Sequence, residues 1–289
     1  MKRKISLLVI FALLLALCAC GGDTASSNPP ATDTPPASQN VEPSEEVPAL
    51  PSVDPSGAAI SIPENIDSIV VLAPSIAETV VALAPDILLV SSLSLYDQEA
   101  PYQPLIDVGV CVVCVPTSES IDGVKSDIQF LAAALSVPEA GQAILDELNN
   151  QLDELAAIAA AIPAEERKSV YFEISAAPYM YSTGSGTYMD EMIRWVGGEN
   201  ILAGETGWVS VEGETVVAAD PDVIFTNVNY IDDPVGEILG RDGWAGVTAV
   251  VNGDVYYIDN MSSSLPNQNI VVAMRQMAEA LYPDYFPAK

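Results

Sequence analysis

Short, unbroken apolar runs rich in Val and Ile alternate along this chain with stretches whose apolar residues recur every three or four positions. Runs of the first kind fall at 69–72, 87–90 and 110–115, then at 170–174, 223–226 and 255–258, and each predicts a buried strand. Strands apolar on both faces and separated by helical stretches predict parallel sheets covered on both sides. The chain thus reads as an α/β protein of two Rossmann-like lobes with mainly parallel sheets, at 58–137 and 168–289. The longest helical signal, 138–162, lies between them. Ile144, Leu148, Leu152 and Leu155 form its apolar stripe, with Glu147, Asn150, Asp153 and Glu154 in between. Pro138 suits a first helical turn and Pro163 a stop. At about 1.5 Å per residue such a helix is a rod of ~35 Å, long enough to join two lobes and restrain their relative motion.

One segment occurs twice. Glu78-Thr-Val-Val-Ala-Leu-Ala-Pro-Asp86, followed by Ile-Leu-Leu-Val, returns 136 positions later as Glu214-Thr-Val-Val-Ala-Ala-Asp-Pro-Asp222, followed by Val-Ile-Phe-Thr. Seven of the thirteen positions are identical. Each copy predicts a helix carrying a glutamate near its N-terminus, where the dipole favours a carboxylate, then a proline stop and a buried strand. Two similar lobes, each with a similarly placed surface glutamate, are the expectation.

Lys2, Arg3 and Lys4 precede an apolar run at 5–17. As a helix that run rises only ~20 Å, against ~30 Å for a bilayer core, so it predicts a secretory signal (1–20) rather than a span. It ends Leu17-Cys18-Ala19-Cys20-Gly21, which resembles a bacterial lipobox and predicts lipidation of Cys20. Two or more acyl chains there give stable anchoring on the extracytoplasmic face of the cell membrane; an ordinary signal that leaves Cys20 a free thiol is the alternative. Residues 21–57 hold prolines at 29, 30, 35, 36, 43, 48, 51 and 55 among Ser, Thr, Asp and Glu. That composition cannot bury a core and predicts an extended, disordered tether.

Forty acidic residues stand against ten basic ones, and loss of the signal's three basic residues takes the formal charge from −30 to −33. Nucleic acid and anionic headgroups are repelled by such a surface, so the lipid is the expected hold on the membrane. At 49% hydrophobic residues the remainder is a folded globule. Cys111 and Cys114 fall in the strand predicted at 110–115, three positions apart and so on opposite faces, which disfavours a disulfide or a shared metal. Core packing is expected for both. The chain has no histidine, which closes His-ligated zinc or heme and Ser-His-Asp or Cys-His catalysis. No cofactor, no resident metal and no enzymatic activity are expected.

Over about 58–289 the chain resembles the binding proteins of ABC importers for cobalamin, heme and ferric siderophores, whose lobes are joined by one rigid helix. In the first lobe the resemblance rests on Ile60-Ser-Ile-Pro-Glu-Asn-Ile-Asp-Ser-Ile-Val-Val-Leu-Ala-Pro-Ser75-Ile-Ala-Glu78 and Leu83-Ala-Pro-Asp86-Ile. In the second it rests on Gly197-Gly-Glu-Asn-Ile201, Trp208-Val-Ser, the Glu214 repeat, 244–250 and Val255-Tyr-Tyr-Ile-Asp. The resemblance implies a solute-binding protein that captures a metal chelate and delivers it to a permease and its ATPase. It also implies that Glu78 and Glu214, one per lobe, dock against permease arginines. A monomer is expected. One departure matters: the family has a further strand and helix between its Pro-Ser-x-x-Glu and Leu-x-Pro-Asp motifs, which are fused here within 74–86. The N-terminal lobe is therefore trimmed.

Parallel α/β lobes bind ligands at the carboxyl ends of their strands, here at 73–75, 91–96, 178–187, Trp208, 227–230 and 260–263. The candidate ligand-binding residues are Ser75, Tyr96, Tyr179, Tyr181, Trp208, Asn229, Tyr230 and Asn260. Planar aromatics beside small neutral polar groups suit a large, rigid, partly apolar ligand. Ser182-Thr-Gly-Ser-Gly-Thr187 precedes a helical pattern and suits an anion, but it lacks the Gly-Lys-Ser/Thr of a P-loop; a plain turn is expected. Anionic catecholate siderophores want clustered Arg or Lys, and these segments contain neither. A corrinoid such as cobalamin or a neutral ferric hydroxamate siderophore fits better. A lipid-anchored sensor or adhesin and a secreted hydrolase with a carboxylate pair are the rival readings.

Overall fold

The structure, a computed structural model, describes residues 50–66, 69–71, 85–92 and 102–287. In chain order β1 (Ile69–Val71), β2 (Ile87–Val90), α1 (Gln103–Asp107) and β3 (Cys111–Cys114) lead to two long helices, α2 (Ile121–Ala134) and α3 (Pro138–Ala159). Then come β4 (Ser169–Glu173), β5 (Tyr181–Thr183), α4 (Tyr188–Trp195), β6 (Glu199–Asn200), β7 (Trp208–Ser210), α5 (Gly213–Ala219) and β8 (Val223–Thr226). α6 (Pro234–Leu239), α7 (Thr248–Asn252), β9 (Val255–Tyr257), α8 (Asn260–Ser264) and α9 (Ile270–Leu281) follow. The strands form a parallel sheet β1-β2-β3, a parallel sheet β6-β4-β8-β9 and a small antiparallel pair β5-β7. All six apolar runs in the sequence contain a strand. β5, β6 and β7, only two or three residues each, carry no such run.

Alternation along the strands decides what each sheet face buries. In the larger sheet Val170, Phe172, Val223 and Phe225 point to the side covered by α3, α4 and α9, against Leu148, Leu152, Met192 and Met277. Tyr171, Ile224 and Val255 point the other way, against Val216, Ile238, Trp244 and Ala249. Each fully buried Leu, Phe or Met contributes about 1.5–3 kcal/mol relative to exposure. In the smaller sheet Cys111 packs with Ile87 and Val113 on one face, and Cys114 with Leu88, Val90 and Leu105 on the other. Both are free, buried thiols.

α3 begins at Pro138 as expected but ends at Ala159, three residues short of 162. Its buried line is Gly141, Leu145, Leu148, Leu152, Leu155 and Ala159, while Ile144 is exposed. The neighbour sets this choice. α2 crosses so near that a Cβ on Gly141 would come within 2.2 Å of the Ala132 Cβ, which turns the line through 141 and 145 inward. α2 also serves two cores. Ile121 and Val124 join the large one, whereas Phe130 and Leu135 pack on the smaller sheet beside Cys111 and Val113. Its first amide, that of Ile121, donates to Glu191 Oε2 of α4 (2.7 Å). α2 is thus clamped against the long helix α3.

The tether expected to run to residue 57 stops sooner, since residues 50–60 belong to the fold. Val53 and Ala59 form an antiparallel bridge. The Asp54 carboxylate accepts from Ser56 N, Ser56 Oγ and Ala58 N (2.9, 2.6 and 3.0 Å) and, across the gap to β3, from Cys114 N (3.0 Å). The segment thus satisfies an amide of an edge strand that would otherwise stand open.

A buried ion cluster closes the far side of the larger sheet. Arg241 Nη1 and Nη2 donate to Glu173 Oε2 and Oε1 (2.6 and 2.9 Å), Arg241 also pairs with Glu237, and the guanidinium lies 4.4 Å from the centre of the Trp244 ring. Arg241→Ala leaves Glu173 buried and unpaired. It is expected to cost about 3–5 kcal/mol in urea unfolding, with Arg241→Met combined with Glu173→Leu recovering most of the loss. At Asp54, burial alone raises the carboxyl, but the Ser56 hydroxyl and the amides of Cys114, Ala58 and Ser56 outweigh it and hold the group below its ordinary 3.8. A depressed folded value means that the stabilisation is complete above pH 3.8 and is lost as pH falls through that folded value. Asp54→Ala is expected to cost about 1–3 kcal/mol at neutral pH and to flatten the acid limb of stability against pH. Hydrogen exchange of the β3 amides reads both effects.

Candidate functional site

The segment that leaves β3 and the segment that joins α8 to α9 line one cavity of about 330 Å³, with Val115, Thr117, Ser118, Asp127, Leu265 and Gln268 among its walls. It opens at the carboxyl end of the smaller sheet, against a loop that follows the carboxyl end of β9. Asp127 is its one ionisable wall; burial pushes this carboxyl up from its ordinary value, and a hydrogen bond from the Ser118 hydroxyl pulls partly the other way. None of the described residues around it is basic.

Side chains rather than backbone hold the second wall in place. Asn227, fully buried just past β8, donates from Nδ2 to the Ser263 and Ser264 hydroxyls (3.0 Å each). Asn260 Nδ2 donates to Asn227 O (2.7 Å), and Asp259 caps α8 by accepting from Ser262 N (2.8 Å). The Tyr188 hydroxyl donates to Ser263 O (3.1 Å), which ties α8 to α4. A five-residue helix has little stability of its own. These bonds are what set Leu265 against the cavity.

The sequence candidates separate into two groups. Trp208 stacks edge-on against Tyr188 at 5.6 Å between ring centres, which places it beside α8, where Asn260 also lies. Tyr181 and Tyr230 form the other group, joined through 175–176: Tyr181 exchanges backbone bonds with Ser175, and the Tyr230 hydroxyl accepts from Ala176 N (2.9 Å). Tyr230 and Tyr179 present exposed rings, at 66% and 81%, and Asn229 is exposed next to Tyr230. Trp208 and Tyr181 sit on strands β7 and β5 rather than on loops. Ser75, Tyr96, Glu78 and Cys20 lie outside the described residues. Glu214 is exposed in the first turn of α5.

The glycine-rich stretch before α4 is a turn, not an anion cradle. Ser182, Thr183 and Thr187 are buried, Thr187 caps α4 by accepting from Asp190 N (3.2 Å), and Asn200 Nδ2 donates to Thr183 O and to Asp190 Oδ1 (2.9 Å each). Sequence reasoning missed the walls formed by 115–118 and 265–267. The rule that places ligands at the carboxyl ends of strands applies to β3 as well, and the run at 110–115 pointed to 116–119.

Among the described residues that line the site none is basic. No Lys or Arg occurs between Lys4 and Lys125, so Lys125 of α2, 3.8 Å from Asp122, is the one positive side chain within 58–137. Arg241 is locked to two carboxylates, and the N-terminus of α2, the positive end of a helix dipole next to the cavity, is already occupied by Glu191.

A model of the periplasmic binding protein family matches residues 10–261. The ABC transporter substrate-binding lipoprotein YvrC of Bacillus subtilis is 29% identical over 209 residues, covering 72% of this chain and 66% of that one. The vitamin B12-binding protein of Vibrio campbellii is 24% identical over 208 residues, 70% of each chain. Among solved structures, the molybdate periplasmic binding protein MolA of Haemophilus influenzae superimposes with a TM-score of 0.66 at 19% identity, over 81% of this chain and 91% of that one. The chain spans about two thirds of the length of the first curated relatives that it matches. With two parallel sheets, a helical strut and a cavity at the carboxyl ends, the chain belongs to the periplasmic binding protein family.

Proposed function

We propose that this protein is the extracytoplasmic solute receptor of an ABC importer and that it takes a neutral metal chelate, either a corrinoid such as cobalamin or a ferric hydroxamate siderophore. The observation that carries the ligand class is that no basic side chain is among the described walls of the cavity: they are aliphatic, amide, hydroxyl and carboxyl, and Arg241, at the carboxyl end of β4, is committed to Glu173 and Glu237. A polyanionic chelate entering such a cleft loses hydration with no cation to replace it. The exposed rings of Tyr179, Tyr230 and Trp208 offer flat apolar surface with polar edges. The vitamin B12-binding relative supports the corrinoid arm of the proposal. The sensor, adhesin and hydrolase readings gain no support from the relatives.

Cys20 carries the lipid in this reading, consistent with the lipoprotein name of the Bacillus relative, and residues 21–49 remain as the tether. Glu78 and Glu214 are the docking carboxylates for the permease, whose ATPase drives uptake. The exposure of Glu214 on a short helix flanking the larger sheet supports that role.

Two outcomes are expected. In a thermal-shift screen of cyanocobalamin, heme, ferric citrate and ferrioxamine, the neutral chelates raise the midpoint and the anionic ones do not; at 100 Kd the gain is ~2.7 kcal/mol. A shift with ferric citrate alone overturns the charge assignment. In a reconstituted importer, Glu78→Ala with Glu214→Ala abolishes uptake and leaves ligand affinity at the wild-type value. Normal uptake by that double variant removes the docking role.

A further inference from the structure

At the amino ends of the strands, the opposite end of the larger sheet from the cleft, lies a second groove of about 350 Å³ lined by Ala156, Ala159 and Ala160 of the end of α3, by Arg194, Trp195 and Gly197, and by Arg167. The five residues of β4, at ~3.3 Å each, set it roughly 16 Å from the carboxyl ends. In a chain this acidic the composition of that groove is unusual. Six basic residues fall among the described ones, and three of them, Arg167, Lys168 and Arg194, meet in this region.

Their charges are only partly used. Arg194 gives its Nε to Asp190 Oδ2 (2.9 Å), which leaves both Nη groups on a side chain that is 55% exposed. Arg167 is exposed and makes no ion pair among the described residues. Glu199 and Asp222 lie close enough to act on the Tyr282 hydroxyl, as Arg167 does, but Asp222 is engaged by Ser169 N and Oγ (2.8 and 2.7 Å). The groove is also held rigidly. The Tyr282 hydroxyl accepts from Lys168 N and donates to Gly197 O (2.9 Å each), so one buried phenol staples together the two segments that carry the arginines. Gly197, at φ +85, lets the chain turn there with Ile162 and Tyr282 packed beneath it.

We propose that this groove is a second ligand site, which takes a small anion: a phosphate or carboxylate group held by Arg167 and Arg194, with a flat apolar body lying over the alanines against Trp195. Guanidinium groups suit oxyanions of this kind, an indole beside them suits a planar body, and the fixed floor reduces the ordering that binding costs. The acidic surroundings make this the place where such an anion is least repelled. The inference does not depend on the ligand assigned to the cleft.

Phenyl phosphate is the probe, titrated into the full-length protein in detergent with tryptophan fluorescence and calorimetry as readouts. Saturable binding is expected, with the fluorescence change lost in Trp195→Phe. Arg167→Gln is expected to weaken binding roughly tenfold at an unchanged melting temperature, and Arg167→Lys to restore part of it. Phenol, which lacks the phosphate, is expected not to bind. The proposal is overturned by any of three results: no saturation into the millimolar range, equal binding of phenol, or an affinity unchanged in Arg167→Gln combined with Arg194→Gln. It is overturned equally if Arg167-dependent binding occurs only on phosphatidylglycerol vesicles, which assigns the groove to a membrane surface.

Discussion

The helix at 121–134 buries side chains in two cores at once, and the relative placement of the two sheets follows from that. Ile121 and Val124 lie among the residues of the larger core, Phe130 and Leu135 on the smaller sheet, and Ala132 against Gly141 of the following helix. Close-packed interiors resist sliding, because any displacement opens voids on one side and overlaps on the other. A hydrogen bond from Ile121 N to Glu191 adds a polar tie at the end nearest the cavity. The two strand ends that border the cavity are therefore held at a set separation by apolar packing, not by a hinge of extended strands.

Electrostatics narrows what such a cleft can receive. Acidic residues outnumber basic ones four to one, and the arginine nearest the carboxyl ends of the larger sheet is consumed in a buried cluster with Glu173 and Glu237. Burying that cluster costs desolvation, which its bidentate geometry and the Trp244 face offset. The described walls of the cavity are aliphatic, hydroxyl, amide and carboxyl. The free guanidinium groups face the opposite end of the strands, in the groove beneath Trp195. Arg167 and Arg194 thus lie away from the cavity at the carboxyl ends.

The strand ends were legible in the pattern of residues, whereas the walls of the cavity were not. Trp208, Tyr230 and Asn260 were flagged as neighbours of strand ends; Trp208 lies beside the short helix α8 through Tyr188 and Asn260 opens that helix, but none of the three lines the cavity. Asp127 and Leu265 stayed hidden, because one lies on a helix face and the other on a loop distant in sequence, and only folding makes them walls of one cavity. Glu191 and Arg241 were equally silent. A glutamate on a polar helix looks solvated until a foreign helix terminus is set against it, and an arginine in a loop looks exposed until a sheet end closes over it.

By itself the sequence determined six of the seven strands of the two parallel sheets, all but the two-residue β6, together with the start of the strut and the opposite-facing cysteines, since period and composition report directly on which faces meet water. It also determined what the protein cannot use, because the absence of histidine and the scarcity of basic residues need no coordinates. Only the tertiary structure decided which stripe of the strut turns inward, Leu145 over Ile144, that the segment around Asp54 belongs to the fold, and which charges are spent. Each of these turns on a partner remote in the chain: Ala132, Cys114 and Glu173 respectively. Periodicity carries no record of such a partner, whereas packing and hydrogen bonding depend on nothing else.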